Sequence, residues 1–325
     1  MRTPSAFIAS VVLACAVAAG CGGEDADQSP QPPPEANLED FPSAAGKTMA
    51  DLRKPLGDGG PVLSLSVSQL QTGRNRVAFG LYELSRKQIS DAPAVIYVAP
   101  VNGGRAIGPI KARYESLAVK PQFQSQTVRS DPDAARSVYV ADVRFPEPGR
   151  YEVLGMARLD GRLVGATQAG APLQVVDEDP VPDVGDRAPR VHTPTETDVG
   201  GDLAQIDTRI PPSSLHDVDF ADVLGTKPVV IVFGTPQLCA SRVCGPVVDV
   251  AEQVKAERGD EAAFVHMEIF KDNVVDRGYR PQVAAWGLPT EPWLFTVDRR
   301  GRIAARLEGA FSVRELDQAV DRAVG

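Results

Sequence analysis

The amino-acid sequence predicts a two-domain protein, in which an all-β domain is followed by an α/β domain. Between residues 62 and 176, short runs of alternating apolar and polar residues are divided by turn residues, without a helical period. From residue 184 onward, strand patterns alternate with helical patterns. An acidic, proline-rich joint at residues 177–183 separates the two regions. The chain of 325 residues is long enough for two hydrophobic cores.

The first residues predict a lipoprotein signal peptide, residues 1–20. Arg2 is followed by an apolar run over residues 7–19, which is too short to span a bilayer. The sequence Ala18-Ala-Gly-Cys21 resembles a bacterial lipobox, although alanine stands at the position where leucine is usual. We therefore expect cleavage before Cys21, lipidation of its thiol, and anchoring on the extracytoplasmic side of the cell membrane. Plain secretion and an uncleaved anchor are the alternatives.

Residues 21–45 predict a disordered tether. They contain an acidic cluster and a proline-rich run at residues 30–34, with little apolar content. Such a segment would hold the folded part of the chain clear of the membrane.

The region from residue 60 to residue 177 predicts a β-sandwich of immunoglobulin-like type. The region contains neither cysteine nor histidine, which favours a spacer or a protein-contact module over a catalytic domain. Its clearest strand patterns lie at residues 62–67, 76–82, 94–98, 137–143, 151–156 and 173–176.

The region from residue 184 to residue 325 predicts a β-α-β unit followed by α-β-β-α. Ser312 and Glu315 have the spacing of a capping box at the start of the last helix. Strand patterns cover residues 229–233, 263–269, 293–298 and 303–308, and helical patterns cover residues 246–258, 280–286 and 313–323.

The candidate catalytic residues are Cys239 and Cys244, which lie between the first strand of this region and the helix that follows it. The N-terminus of a helix stabilises a thiolate, and the thiolate is the attacking species in disulfide exchange. A second cysteine nearby can resolve the mixed disulfide. Because Cys15 would leave with the signal peptide and Cys21 would carry the lipid, this pair would hold the only thiols of the mature chain.

Two further segments carry a family resemblance. Val184-Gly-Asp-Arg-Ala-Pro189 resembles the entry motif of the redoxin branch of thioredoxin-like domains. Residues 288–303 resemble that branch's segment of a cis-proline, a strand, an Asp-x-x-Gly turn and a second strand. The whole chain is similar to uncharacterised bacterial thioredoxin-like lipoproteins. The branch includes membrane-attached thiol–disulfide oxidoreductases, which implies that activity, no cofactor, and extracytoplasmic protein thiols or disulfides with a redox partner.

The resemblance also implies a substrate groove beside the cis-proline. Pro292, directly before a strand pattern, is the favoured cis-proline, and Pro289 is the alternative. Its neighbours Glu291 and Trp293 are candidate groove residues. A carboxylate at position 291 would raise the pKa of a nearby thiol or accept its proton.

The cysteine spacing departs from the family's Cys-x-x-Cys, because four residues separate Cys239 and Cys244. If the helix opens at Pro246, its positive end lies closest to Cys244, which would then attack. If the helix begins near Ala240, the assignment is reversed.

Three other functions stay open. The pair could form a structural disulfide in a redox-inactive binding protein. Thr235-Pro236-Gln-Leu-Cys239 is one residue longer than the Thr-Pro-x-Cys of thiol peroxidases on this fold. Copper-handling relatives use two cysteines and a distant histidine, for which His266 with Cys239 and Cys244 is a weak candidate. The net charge of −9 argues against a nucleic-acid partner.

Overall fold

The computed structural model describes residues 32–57 and 59–325. The predicted signal peptide at residues 1–20, Cys21 with its lipid, and the first part of the tether lie outside the described residues. Within the described ranges, no helix combines the length and apolar character needed to cross a membrane.

The end of the predicted tether is folded, which corrects its expected limit at residue 45. A 3-10 helix at Leu38–Asp40 and a helix α1 at Met49–Arg53 lie against the all-β region. Phe41 and Ala44 are buried in one cluster with Tyr97, whose hydroxyl donates to the Pro42 carbonyl at 2.7 Å. The few apolar residues of this segment are therefore buried by contacts with residues of the all-β region that are distant in the sequence.

The all-β region is a single sheet of ten strands. Seven of them close into a ring in the order β8-β5-β6-β7-β3-β1-β9, and β9 pairs again with β8. The strands are β1 Val62–Leu65, β2 Gln69–Gln71, β3 Gly73–Tyr82, β4 Gln88–Ile89, β5 Ala94–Pro100, β6 Ile107–Ser116, β7 Ser137–Phe145, β8 Gly149–Leu159, β9 Arg162–Gln168 and β10 Leu173–Val176.

The immunoglobulin-like sandwich predicted for residues 60–177 is not confirmed, because the strands form one barrel-like sheet instead of two stacked sheets. The length of β8 accounts for the closure. Its first residues pair with β10 and its last residues pair with β9, while its other edge pairs with β5. The parallel pair of β1 and β9 completes the ring. A closed sheet leaves no free strand edge around the ring.

The α/β region contains a four-stranded sheet in the order β12-β11-β13-β14. Strands β11 and β12 are parallel, and β13 and β14 are antiparallel to their neighbours. This order and these directions agree with the predicted thioredoxin-like fold for this part of the chain. The elements are α3 Phe220–Val223, β11 Val229–Phe233, α4 Cys244–Arg258, β12 Ala263–Met267, α5 Pro281–Ala285, β13 Trp293–Val297, β14 Ile303–Glu308 and α6 Val313–Val324. A further short helix, α2 Gln126–Ser130, lies between β6 and β7.

The barrel and the α/β region pack against each other, and residues 32–325 form one compact unit. One continuous cluster of buried apolar residues contains side chains of both regions. Arg76 of β3 binds the buried carboxylate of Glu315 at 2.7 Å and the carbonyl of Glu308 at 3.0 Å. Ser312 caps α6 as predicted, but Glu315 does not complete the capping box because its carboxylate faces Arg76 and Arg113.

Candidate redox-active site

Cys239 and Cys244 form a disulfide directly after β11. The strand ends at Phe233, the chain turns through residues 234–243, and α4 begins at Cys244. The two Cα atoms lie 6.1 Å apart, within the range that a disulfide spans. The spacing of four intervening residues is therefore compatible with a disulfide. Cys244 is fully buried, whereas 9% of Cys239 is exposed.

The helix begins two residues before its predicted start. Cys244 is its first residue, and Pro246 is its third. The first helical residues have no N–H partner within the helix, so a proline is tolerated there. The helix does not start near Ala240, which leaves Cys244 nearest to the positive end of the dipole.

The peptide bond between Glu291 and Pro292 is cis, at the favoured of the two candidate prolines. Pro292 packs beside the cysteines across Gly234, the residue that follows β11. A methyl group on Gly234 would lie 3.4 Å from Cβ of Pro292 and 3.7 Å from Cβ of Cys244. The end of β11, Pro292 and the start of α4 are therefore packed together around Gly234.

Trp293 lies in the core and does not line the cavity that contains Cys239. Its side chain is fully buried, its indole N–H donates to the hydroxyl of Thr290 at 3.2 Å, and the guanidinium of Arg306 lies over its ring. Pro292 is also buried. Of the three predicted groove residues, only Glu291 is partly exposed.

Glu291 places a carboxylate beside the inner sulfur. Its Oε2 lies 3.5 Å from Sγ of Cys244 and accepts the backbone N–H of Thr235 at 2.8 Å. Burial raises the pKa of Glu291 to about 7, against the opposing effect of the Thr235 hydrogen bond. A carboxyl group that titrates near neutral pH can both donate and accept a proton at Cys244.

His266 belongs to a different cluster, which corrects the weak copper hypothesis for His266 with Cys239 and Cys244. Its Nε2 donates to the carbonyl of Gly234 at 2.8 Å, and its Nδ1 faces Asp207 at 3.4 Å. His216 faces the same carboxylate at 3.2 Å. Burial lowers the pKa of His266, but the charge of Asp207 outweighs that effect and raises the pKa to about 9.

Two groups of potential metal ligands come together among the described residues. One contains Asp207, His216 and His266, and the other contains Cys239, Cys244 and Glu291. The cysteines and His266 are therefore not brought into one ligand set. The thiol peroxidase arrangement is not formed either, because the Thr235 hydroxyl is buried and accepts the N–H of Ile269 at 3.2 Å.

The sequence-based reasoning missed Asp207, which lies in a loop without a local motif. Its carboxylate accepts the N–H and the hydroxyl of Ser213, each at 2.7 Å, in addition to its contacts with the two histidines. These groups are distant in sequence from His266, so no spacing rule could have joined them.

A cavity of about 450 Å³ lies at Cys239. One side is formed by the loop and helix start that carry the cysteines. The other side comes from residues 126–134 of the barrel, together with Ile210. No pattern in the sequence indicates that the barrel reaches the cysteines.

The chain matches no protein-family model and no curated protein. The solved structures that resemble part of it include the following two. One is described as a thiol:disulfide interchange protein DsbE from Chlorobium tepidum, with 18% identity, a TM-score of 0.32, and coverage of 44% of this chain and 99% of that chain. The other is a thiol:disulfide interchange protein of the thioredoxin family from Chlorobium tepidum TLS, with 18% identity, a TM-score of 0.30, and coverage of 43% and 97%. At these TM-scores, we base the fold on the strand order and directions described above.

Proposed function

We propose that this protein is a thiol–disulfide oxidoreductase that uses the Cys239–Cys244 pair. The observation that carries the proposal is the disulfide at the start of α4, in which Cys239 retains a small exposed fraction and Cys244 lies beside a carboxyl group of raised pKa. Partial exposure allows exchange, and a neighbouring acid–base group allows the buried sulfur to leave and return.

Exposure favours Cys239 as the sulfur that meets the substrate. A thiolate of a substrate dithiol attacks Sγ of Cys239, the bond to Cys244 breaks, and Cys244 takes a proton from Glu291. The second substrate thiol gives up its proton to solvent and attacks the substrate sulfur of the mixed disulfide. Cys239 then leaves as a thiolate. The substrate has lost two electrons to the pair, and the reverse sequence reduces a substrate disulfide.

The sequence-based case for attack by Cys244 depended on the helix dipole, and the helix start indeed lies at Cys244. Its sulfur, however, is fully buried beside Glu291 and cannot meet a protein thiol without movement of the loop. Burial therefore outweighs the dipole in our assignment, with Cys239 in contact with substrate and Cys244 as the resolving residue.

The activity is tested with the lipid-free chain and a model dithiol or disulfide peptide. We expect turnover in the presence of an excess redox partner, and its loss in Cys239→Ser and in Cys244→Ser. If the disulfide is only structural, the wild type will show no turnover. Either substitution will then lower the free energy of unfolding by roughly 2–4 kcal/mol.

The cellular place of the reaction is a further part of the proposal. A lipid on Cys21 would anchor the enzyme on the extracytoplasmic side of the cell membrane, where disulfides persist. Its partners would be extracytoplasmic protein thiols or disulfides and a redox protein that restores the pair. Metabolic labelling with a radioactive fatty acid should mark the wild type and leave Cys21→Ala unlabelled.

A further inference from the structure

The barrel forms one wall of the cavity at Cys239. This wall belongs to the connection between β6 and β7, residues 117–136, which we call the β6–β7 segment. It includes α2 and lies more than 100 residues before the cysteines in the sequence. Gln126, Ser130 and Ala134 of this segment line the cavity opposite Leu238 and Cys239. The all-β region therefore contributes directly to the surroundings of Cys239.

The β6–β7 segment is held firmly against the redox site. Ser125 donates from both its N–H and its hydroxyl to the buried carboxylate of Asp249 in α4, at 2.9 and 3.0 Å. Arg209 binds the other oxygen of Asp249 at 2.8 Å and the carbonyl of Phe123 at 2.7 Å. The wall is thus fixed to the helix that carries Cys244.

The side chain of Val128 in this segment packs against the helix start. A methyl group on Gly245 would lie only 3.0 Å from a methyl carbon of Val128. Asp131 forms an ion pair with Arg242 of the cysteine loop. On the opposite side Pro292 is buried. Cys239 lines the cavity that lies beside these contacts, and we take this cavity as the route of a reactant to Cys239.

The size and lining of the cavity indicate what it can accept. Its volume of about 450 Å³ is within the range of pockets for small ligands. Ile210 and Leu238 present exposed apolar side chains, and Gln126 presents an exposed amide group. Apolar contacts combined with a hydrogen-bonding group suit a peptide. A cysteine on the rigid surface of a folded domain would bring its neighbours against the β6–β7 segment before its sulfur reached Cys239.

We propose that the β6–β7 segment selects the substrate, so that the site accepts a cysteine carried by a short, flexible peptide and excludes a cysteine held within a folded domain. The peptide can be free or a segment of an unfolded chain. This inference rests on the proposed oxidoreductase function and adds the substrate class.

The test compares three reductants of the disulfide in the lipid-free chain: dithiothreitol, a synthetic pentapeptide with one cysteine, and the same five residues in a surface turn of a folded carrier domain. Opening of the disulfide is followed by alkylation and mass spectrometry. We expect the peptide to react at least about tenfold faster than the carrier. The same five residues within a denatured carrier should react as fast as the free peptide. This arm tests a segment of an unfolded chain as the substrate.

Matched variants test the wall itself. Ser130→Trp fills the cavity and should lower the ratio of the peptide rate to the dithiothreitol rate about tenfold. Arg129→Trp changes the adjacent exposed residue, which does not line the cavity, and should leave that ratio unchanged. Gln126→Trp is a second cavity variant, for use if Ser130→Trp does not fold.

Equal rates for peptide and carrier would overturn the proposal, as would an unchanged ratio in a folded cavity variant. Either result would leave the oxidoreductase function intact. A disulfide that dithiothreitol opens but that exchanges with neither peptide nor carrier would instead contradict the proposed function.

Discussion

At the scale of single residues, Glu291 gives the site its chemical character. A glutamate on an exposed loop would be ionised at neutral pH, but this one is partly buried against Cys244, and its pKa is raised to about 7. Its Oε2 lies 3.5 Å from Sγ of Cys244 and accepts the N–H of Thr235. The carboxyl group is thus held where a proton must be exchanged when the disulfide opens.

We predict that Glu291 controls the pH dependence of disulfide opening. In the wild type, the rate of opening by a monothiol, corrected for thiolate concentration, should fall as the pH rises through about 7, since the group then no longer donates a proton to Cys244. Glu291→Gln should remove this inflection and slow the reaction at pH 6 by about 10²-fold. Stopped-flow kinetics of both proteins provide the measurement.

The stability of the same variant gives an independent check. Because the pKa in the folded state lies above the usual value of 4.5, the folded protein binds the proton more tightly than the unfolded chain does. This contribution to stability is complete at low pH and is lost as the pH rises from about 4.5 to 7. Urea unfolding of Glu291→Gln should lack that decline, and Glu261→Gln, at an exposed site, should retain it. An unchanged pH profile in Glu291→Gln would rule out the proton-donor role.

At the scale of elements, the meeting of β11, α4 and the cis-proline segment orders the two sulfurs. Strand β11 ends at Phe233, and the loop after it places Cys239 at the wall of the cavity. The first turn of α4 holds Cys244 inward. Of the two cysteines, only Cys239 lines the cavity and retains an exposed fraction.

We expect alkylation to distinguish the two cysteines. In the reduced protein, Cys239 should react with iodoacetamide at least about tenfold faster than Cys244, because accessibility limits the reaction of the buried thiol. The Cys244→Ser and Cys239→Ser variants report each thiol separately, as a function of pH. Faster labelling of Cys244 at low pH would reverse our assignment and return it to the residue nearest the helix dipole.

At the scale of the whole molecule, the barrel and the α/β region share a hydrophobic cluster and buried ion pairs. The separate domains predicted for residues 60–177 and 184–325, including a stable fragment from about residue 181, remain a prediction. Glu315 of the α/β region links the two parts of the molecule, since its buried carboxylate forms ion pairs with Arg76 and Arg113 of the barrel.

We predict that Arg76→Ala lowers the stability of the entire chain by about 3–5 kcal/mol, since it leaves a buried carboxylate with an incomplete set of partners. Differential scanning calorimetry should record a single transition that moves to lower temperature. Arg53→Ala, which removes an exposed ion pair with Glu152, should change the transition temperature little. Two transitions, with only one shifted by Arg76→Ala, would support independent folding units.

The sequence alone predicted the features that depend on neighbouring residues. The alternation of residues 62–67 and 76–82 indicated strands, and the apolar run before Cys239 indicated a strand that leads to a helix. Pro292 was the favoured cis-proline because of its place before the next strand. These signals are local, since the period of a strand or helix and the effect of a proline are set within a few residues.

The tertiary structure determined everything that depends on which distant segments meet. Pairing of β8 with both β9 and β10 made a closed barrel from strands that could also have formed two sheets. Burial beside Cys244 changed Glu291 from an ordinary carboxylate into a group that titrates near neutral pH. The β6–β7 segment lies at Cys239 because residues of the α/β region, Asp249 and Arg242 among them, bind it. Burial and long-range contact depend on the whole packing, and no short pattern in the sequence contains them.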